Sequence, residues 1–490
     1  MRAYSPKRRT ALVLAGTGVS GAYHAGVLKA LDESGVKIDL VVGSGVGAVS
    51  AAFAAAAAGQ RLYAADGFWR GARERSFLRL RPFLRMVLGL LAAIVGVFLV
   101  PAALALLVGL LSPVLLVAWF LFSRFGHGLP ETLDISASGL ANLYAASLAT
   151  VSFALGLLLV SFILRHALGD RRRMGEAFEA AVDPRPGEER LGRALWEVAR
   201  GPATSSSAPS TGELSKRFVG LLAENLGQPG FRELILRVAD LESAAPLSFV
   251  LLQDEHRAAY AAVQAKTFRP RTGVVPGTID LKGAGYETLA YDAIRTGLLP
   301  PLGGPCCRIA FPRGGLYAGE VHRVADATVA GGCGLSEAVA AGADQVILVL
   351  GVPQAASPPP RRRGPRAMAG GILASLEKQA ADRELEGAER LNRIIDTLGH
   401  SEEGGGRGWE DPASGRVYRS FGLWVIRPDR RTTGPWEIGG ARDPASEALE
   451  TLDDLIDRGY HDAYRLFLEP IVGDGERVHP AAEDKQPIEL

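Results

Sequence analysis

The first clear pattern in the chain is a five-residue apolar run, Ala11 to Ala15, closed by glycine. An unbroken apolar run this short suits a strand buried on both faces of a parallel sheet. A helix is expected over Gly21 to Leu31 and a second buried strand over Asp39 to Val42. The turn GSGVG and an alanine-rich helix from Ala48 to about Ala58 follow. Strand, glycine turn and helix, twice in succession, predict an α/β fold on a parallel sheet. Farther along, the pattern predicts a long helix over Gly370 to Leu398 and a strand over Leu423 to Ile426. It also predicts a helix capped by Asp443-Pro444, carrying Leu449, Leu452 and Leu455 and stopped by Gly459. Three segments read as connections: Gly201 to Gly212, the basic proline-rich run Ser357 to Arg366, and the glycine-rich run Glu402 to Ser414.

The alternation breaks in the middle of the chain. Met86 to Phe122 is 37 residues without a charge, and a second apolar block runs from Ala145 to Leu164. A bilayer crossing takes about 20 apolar residues. The second block therefore reads as one span. The first, with Pro101 and Pro113 inside it, reads as one kinked or partly re-entrant span. Arg70, Arg73, Arg75, Arg79, Arg81 and Arg85 precede the blocks, and Arg165 and Arg171 to Arg173 follow them. Positive flanks face the cytoplasm, and the two parts of a split α/β fold must share one side, so the crossings are even in number. The competing reading is a buried helical subdomain. The expected organisation is 9–80 as the first part of the α/β domain, 81–170 as a transmembrane insertion and 171–217 as a cytoplasmic linker. The second part of the domain is expected over 218–470, with a polar tail over 471–490. An integral membrane protein with its α/β domain in the cytoplasm follows, its arginine flanks meeting anionic headgroups. Lys7 to Arg9 precede an apolar run too short for a signal peptide, so the run is expected to be the first strand.

Composition narrows the chemistry. The chain is 48% hydrophobic and 22% charged, which excludes a long disordered protein. A net charge of +1 gives no support to nucleic-acid binding by the chain as a whole. Cys306, Cys307 and Cys333 build neither a disulfide framework nor the paired motif of a zinc site, and no metal is expected.

The candidate chemistry lies in two glycine loops. Gly16-Thr17-Gly18-Val19-Ser20-Gly21 follows a strand and opens a helix. As a dinucleotide fingerprint it would hold a pyrophosphate. That reading wants an acidic residue at the end of the second strand, where Val42-Gly43-Ser44 stands instead. As an oxyanion loop it would present backbone N–H groups to a developing negative oxygen.

Four segments in order, LVLAGTGVSGAYHAGVLKAL, IDLVVGSGVGAVSAA, VADATVAGGCGLSEAVAAGADQVILVL and GYHDAYRL, resemble the patatin-like phospholipases. The resemblance covers Arg9 to Ala58 and Phe218 to Leu468, on either side of the apolar blocks. It implies a three-layer α/β/α domain, here interrupted by a helical transmembrane insertion. It also implies hydrolysis of lipid esters by a serine and aspartate dyad, with no cofactor. Family members carry a glycine-rich oxyanion loop, a G-x-S-x-G elbow and an Asp-Gly-Gly or Asp-Gly-Ala motif.

Matched residue by residue, Gly16, Gly18 and Gly21 fit the oxyanion loop, with Thr17 in place of a glycine and Ser20 in place of a basic residue. Gly43 and Gly47 fit the flanks of the elbow, but the nucleophile position is Gly45. Asp326 fits the aspartate, followed by Ala327-Thr328. Ser44, beside the lost position, is the candidate displaced nucleophile, with Val42 and Val46 where an elbow wants small neighbours. Asp326 either assists a nucleophile or hydrogen-bonds amides of the Gly43 to Gly47 turn. His24 and His322 read as structural histidines. The expected function is a membrane-anchored patatin-like protein with a lipid-binding or regulatory role, lacking standard serine hydrolysis. The alternatives are an ester hydrolase using Ser44 or an activated water, and a dinucleotide-binding protein. Membrane lipids are the expected partner, and no protein partner is indicated.

Overall fold

A computed structural model of the chain describes residues 4–72, 76–80, 182–201, 209–267, 277–301, 304–314, 317–327, 332–354, 365–401, 407–411, 416–429, 441–442 and 449–472, with isolated residues between 81 and 181. The chain divides into two compact units: Met1–Arg79 with Pro184–Leu490, and Leu80–Asp183.

The first unit is built on a nine-stranded mixed sheet. The apolar runs become its centre: β1 (Thr10–Gly16), β2 (Leu40–Gly45), β3 (Glu233–Asp240) and β8 (Gln345–Leu350) are buried throughout. β9 (Gly422–Ile426), β8, β1, β2 and β3 lie side by side and parallel. Beyond β3 come β4 (Ala245–Leu251), antiparallel, and β5 (Gly277–Asp280), parallel to β4. A hairpin of β6 (Cys307–Ala310) and β7 (Val321–Asp326) joins the sheet through β7.

Helices cover both faces. On one side Val13, Val42, Ile235 and Leu348 pack with Tyr260 of α5 (Asp254–Thr267), Leu335 and Ala338 of α7 (Leu335–Ala340), and Ala381 and Leu385 of α8 (Pro365–Leu398). On the other lie α1 (Ser20–Glu33) and α2 (Gly47–Ala55), with α9 (Leu452–Ala463) packed along α1. This is an α/β fold in three layers around a largely parallel sheet.

Several local expectations change. The helix expected from Asp443-Pro444 starts instead at Leu452, capped by Thr451 in a capping box with Asp454. Leu449 belongs to a short strand paired with Arg442. Residues 443–448 lie outside the described residues. Gly459 does not stop that helix; it lies inside it. The second predicted helix closes at Ala55 rather than near Ala58. Part of the expected loop 402–414 forms a strand, Arg407–Asp411, in a small three-stranded sheet. The segment 171–217 was expected to be a linker. It contains α3 (Arg185–Ala199) and the start of α4 (Thr211–Asn225), whose apolar faces are buried in the first unit.

The ends of the first unit flanking residues 80–183 are stitched together. Gly187 N–H donates to Phe77 C=O at 3.1 Å. Arg190 donates to Phe68 C=O and Gly67 C=O, both at 2.8 Å, and stands over the Phe68 and Phe77 rings. Between 81 and 181 only isolated residues of the second unit are described, and Val114, Val117, Phe120 and Leu121 among them are exposed. Among the described residues no helix is long and apolar enough to cross a membrane. The expected spans over 86–122 and 145–164 lie almost wholly outside the described residues.

Candidate functional site

One edge of β3 brings the candidate residues together. β2 pairs along that edge up to Ser44 opposite Arg237, and β7 continues from Asp326 opposite Val238. β2 runs parallel to β3 and β7 antiparallel, so the two strands end against each other. Side chains alternate across a sheet. Asp326 therefore shares its face with Val238, the same face as position 45, while Ser44 shares the opposite face with Arg237.

Gly45 has φ +62°, a left-handed conformation that favours glycine. A Cβ built on it would lie 2.7 and 2.9 Å from the two carboxylate oxygens of Asp326 and 2.4 Å from Gly16 C=O. Position 45 thus points at Asp326, and the carboxylate occupies the space a side chain would need. The flanking glycines are also sterically required. A Cβ on Gly47 would meet Leu14 C=O at 1.9 Å, and one on Gly43 would meet the Ala48 backbone at 2.6 Å. From below, Gly297 after α6 (Ala290–Thr296) comes so close that a Cβ there would lie 2.0 Å from Gly45 C=O.

Gly16 C=O accepts the Val46 N–H at 2.9 Å. The amide after an elbow nucleophile is a usual oxyanion donor; here it is already paired. In the loop above, Gly18 is left-handed at φ +57°. Ser20 Oγ donates to Thr17 C=O at 2.9 Å and closes the turn. Thr17 Oγ donates to Glu377 Oε2 of α8 at 3.2 Å. Gly21 lies under the indole of Trp69, inside the fold rather than at the loop's tip.

Gly16, Gly45 and Asp326 therefore meet, with Gly43 and Gly47 shaping the turn. Ser44 does not join them. Its side chain is fully buried on the opposite face, and its hydroxyl makes no hydrogen bond among the described residues. That face holds a buried ion pair, Arg237 to Glu337 at 2.8 Å. Beside it Glu384 accepts from the Cys333, Gly334 and Leu335 amides at 2.7, 3.2 and 3.4 Å. Burial opposes the charge of Glu384, but Arg237 and the hydrogen bonds from Cys333 and Ser336 hold its pKa below the usual range. Ala327 is buried, and Thr328 lies outside the described residues.

His24 and His322 are separate from the elbow in role. His24 is fully buried, with one ring nitrogen 3.3 Å from Ala15 C=O. His322 bridges Asp240 and Glu320, both at 2.9 Å, and these partners raise its pKa although burial opposes it. Asp39, the acid nearest the dinucleotide spacing, sits at the far end of β2. It accepts the Thr10 N–H at 2.9 Å and pairs with Lys37. Arg70, expected to meet headgroups, is paired with Asp453 and Asp457. Among the described residues no cluster of acids, histidines and cysteines could hold a metal ion. The contacts of Glu377 and Trp69 were not foreseen; a lone Glu on a helix and a lone Trp after a glycine give no local signal.

A family model described as Patatin-like phospholipase matches residues 12–278, more than half of the chain. The chain belongs to the patatin-like phospholipase family. Among curated proteins none matches it. A solved structure, that of VipD from Legionella pneumophila, matches over 96% of this chain and 67% of its own, at 11% identity and a TM-score of 0.28. The patatin-like identity makes the elbow and Asp326 the place to ask about lipid chemistry.

Proposed function

We propose that this patatin-like protein is anchored in a membrane, binds a lipid acyl group at the Gly16, Gly45 and Asp326 site, and does not perform serine-based ester hydrolysis. The observation that carries the reading is Gly45. It has the left-handed backbone of an elbow and faces the aspartate, yet offers no hydroxyl, and the space for one is filled by the Asp326 carboxylate and Gly16 C=O. The paired Val46 amide removes one donor that would stabilise an oxyanion. Ser44, on the other face of the sheet, has no path to Asp326.

Anchoring is supported by the two apolar blocks of the sequence and their arginine flanks. The stitched ends at Phe77 and Gly187 favour an insertion that leaves and re-enters the domain at one place, as an even number of crossings requires.

The test is detergent-solubilised full-length protein exposed to a fluorophosphonate probe and to a panel of phospholipids and neutral lipids. Wild type, Ser44→Ala, Asp326→Asn and Gly45→Ser are compared side by side. We expect no probe labelling and no fatty-acid release in wild type, and capture of a photoactivatable phospholipid by the segments 16–21 and 43–47. Turnover lost in Ser44→Ala would establish a displaced nucleophile. Turnover lost only in Asp326→Asn would establish an activated water. Either result overturns the proposal. Labelling of Gly45→Ser would show that a hydroxyl at position 45 can still be reached by an ester.

A further inference from the structure

The long helix α8 carries two unlike surfaces. Gly370, Glu377, Ala381, Ala388 and Ile395 are buried along one side, against the domain. The opposite side should be polar throughout, and over its later turns it is: Gln379, Arg383, Glu386 and Arg390 are exposed there. Over the first three turns the same side is apolar. Met368, Ile372 and Leu376 follow at i, i+4 and i+8 and are 69%, 54% and 47% exposed. Single exposed apolar side chains are ordinary; an aligned stripe is not.

The sequence around the stripe is one-sidedly basic. Arg361, Arg362, Arg363 and Arg366 lead into it, and no acidic residue stands between Asp344 and Glu377. An apolar stripe joined to a run of arginines matches an anionic bilayer surface, where apolar side chains enter the acyl boundary and cations stay with the headgroups. It does not match a neutral protein groove.

We propose that the first three turns of α8, through Met368, Ile372 and Leu376, form a docking surface for an anionic lipid bilayer. The position is next to the candidate site. Glu377 follows Leu376 directly, turns inward and accepts the hydrogen bond from Thr17 of the glycine loop. Docking along the stripe therefore sets α8 against the lipid, with the glycine loop held on the inner side of the same helix. The inference stands on the helix alone and does not depend on the chemistry at Gly45 or on the apolar blocks.

The test uses the full chain with Cys306→Ser, which removes the exposed thiol, and Ile372→Cys labelled with an environment-sensitive fluorophore. Protein is reconstituted with vesicles of phosphatidylcholine, or of phosphatidylcholine with phosphatidylserine. A blue shift of the 372 probe and its quenching by nitroxide lipids are expected only with phosphatidylserine. Both should be lost when Arg361, Arg362 and Arg363 are changed to Glu. A probe at Arg390→Cys, on the polar part of the same side, should remain in water in both lipids. A 372 probe that stays in water, that shifts equally in both lipids, or whose shift follows protein concentration instead of lipid charge overturns the proposal. The last outcome would mean contact between copies. None of these readings changes with the hydrolysis result, so the two proposals fail separately.

Discussion

His24 shows how far a single side chain can depart from what its residue type suggests. It lies in α1 behind the glycine loop, and burial pushes its pKa down to about 4, only partly offset by its contact with Ala15 C=O. In the unfolded chain a histidine titrates at about 6.5. Between those values the unfolded state binds more protons, so stability falls as pH falls. The full window amounts to about 3 kcal/mol. Denaturant melts of His24→Gln are expected to lose most of the slope between pH 6.5 and pH 4 that wild type shows; an unchanged slope would assign it to other groups. A catalytic base would need a pKa near the working pH and a nucleophile in reach; His24 has neither. At this scale the sequence was informative where backbone geometry is at stake. Gly43, Gly45 and Gly47 announce a strained turn because no other residue fits there, and Asp326 follows from the register of the segment after it. Ser44 shows the limit. A residue's place in the chain says it is next to position 45, but only the pleat says that next in sequence means opposite in the sheet.

Two helices show the same limit one level up. α1 and α9 cross so closely that a Cβ on Gly26 would lie 1.8 Å from Ile456 C=O, and one on Gly459 2.1 Å from Tyr23 C=O. In sequence Gly459 reads as a helix stop; in the fold it is a helix interior residue that lets another backbone approach. Glycine to alanine in a helix gains about 1 kcal/mol of intrinsic propensity, whereas forcing a methyl into a closed contact costs about 1–3 kcal/mol. The obstacle at Gly459 is backbone, so the second effect should win. Thermal melts are expected to show Gly459→Ala less stable by about 1 kcal/mol once the propensity gain is subtracted, while Gly387→Ala, exposed and with nothing within 4 Å, should be neutral or more stable. Equal melting of the two variants would reject the close crossing. The buried strands were legible because a two-faced burial leaves an unbroken apolar run. The start of α9 was not, because Asp443-Pro444 and Thr451-x-x-Asp454 are both acceptable local caps. The choice was made by Leu449, which is drawn into a strand before the helix begins.

For the molecule as a whole, the decisive sequence signal was the place where the soluble pattern stops. The apolar blocks fall within the unit Leu80–Asp183, which ends beyond the expected bound of 170, and they hide what flanks it. α3 and α4 were missed because the segment between them, rich in serine and proline, has the composition of a linker. The stitch between Phe77 and Gly187 predicts that the first unit does not need the residues between. A chain with 81–181 replaced by a short glycine-serine loop should stay monomeric without detergent and unfold in one cooperative transition by circular dichroism. Aggregation or a non-cooperative melt would show that the unit leans on what was removed. Closing a flexible loop becomes only about 0.6 kcal/mol more costly with each doubling of its length. With the doorway already fastened by Gly187 and Arg190, the number of residues that pass through it is almost free to vary. The fold therefore offers a port: a different module with neighbouring ends could be grafted there, and the sheet that holds Gly45 against Asp326 would not register the exchange.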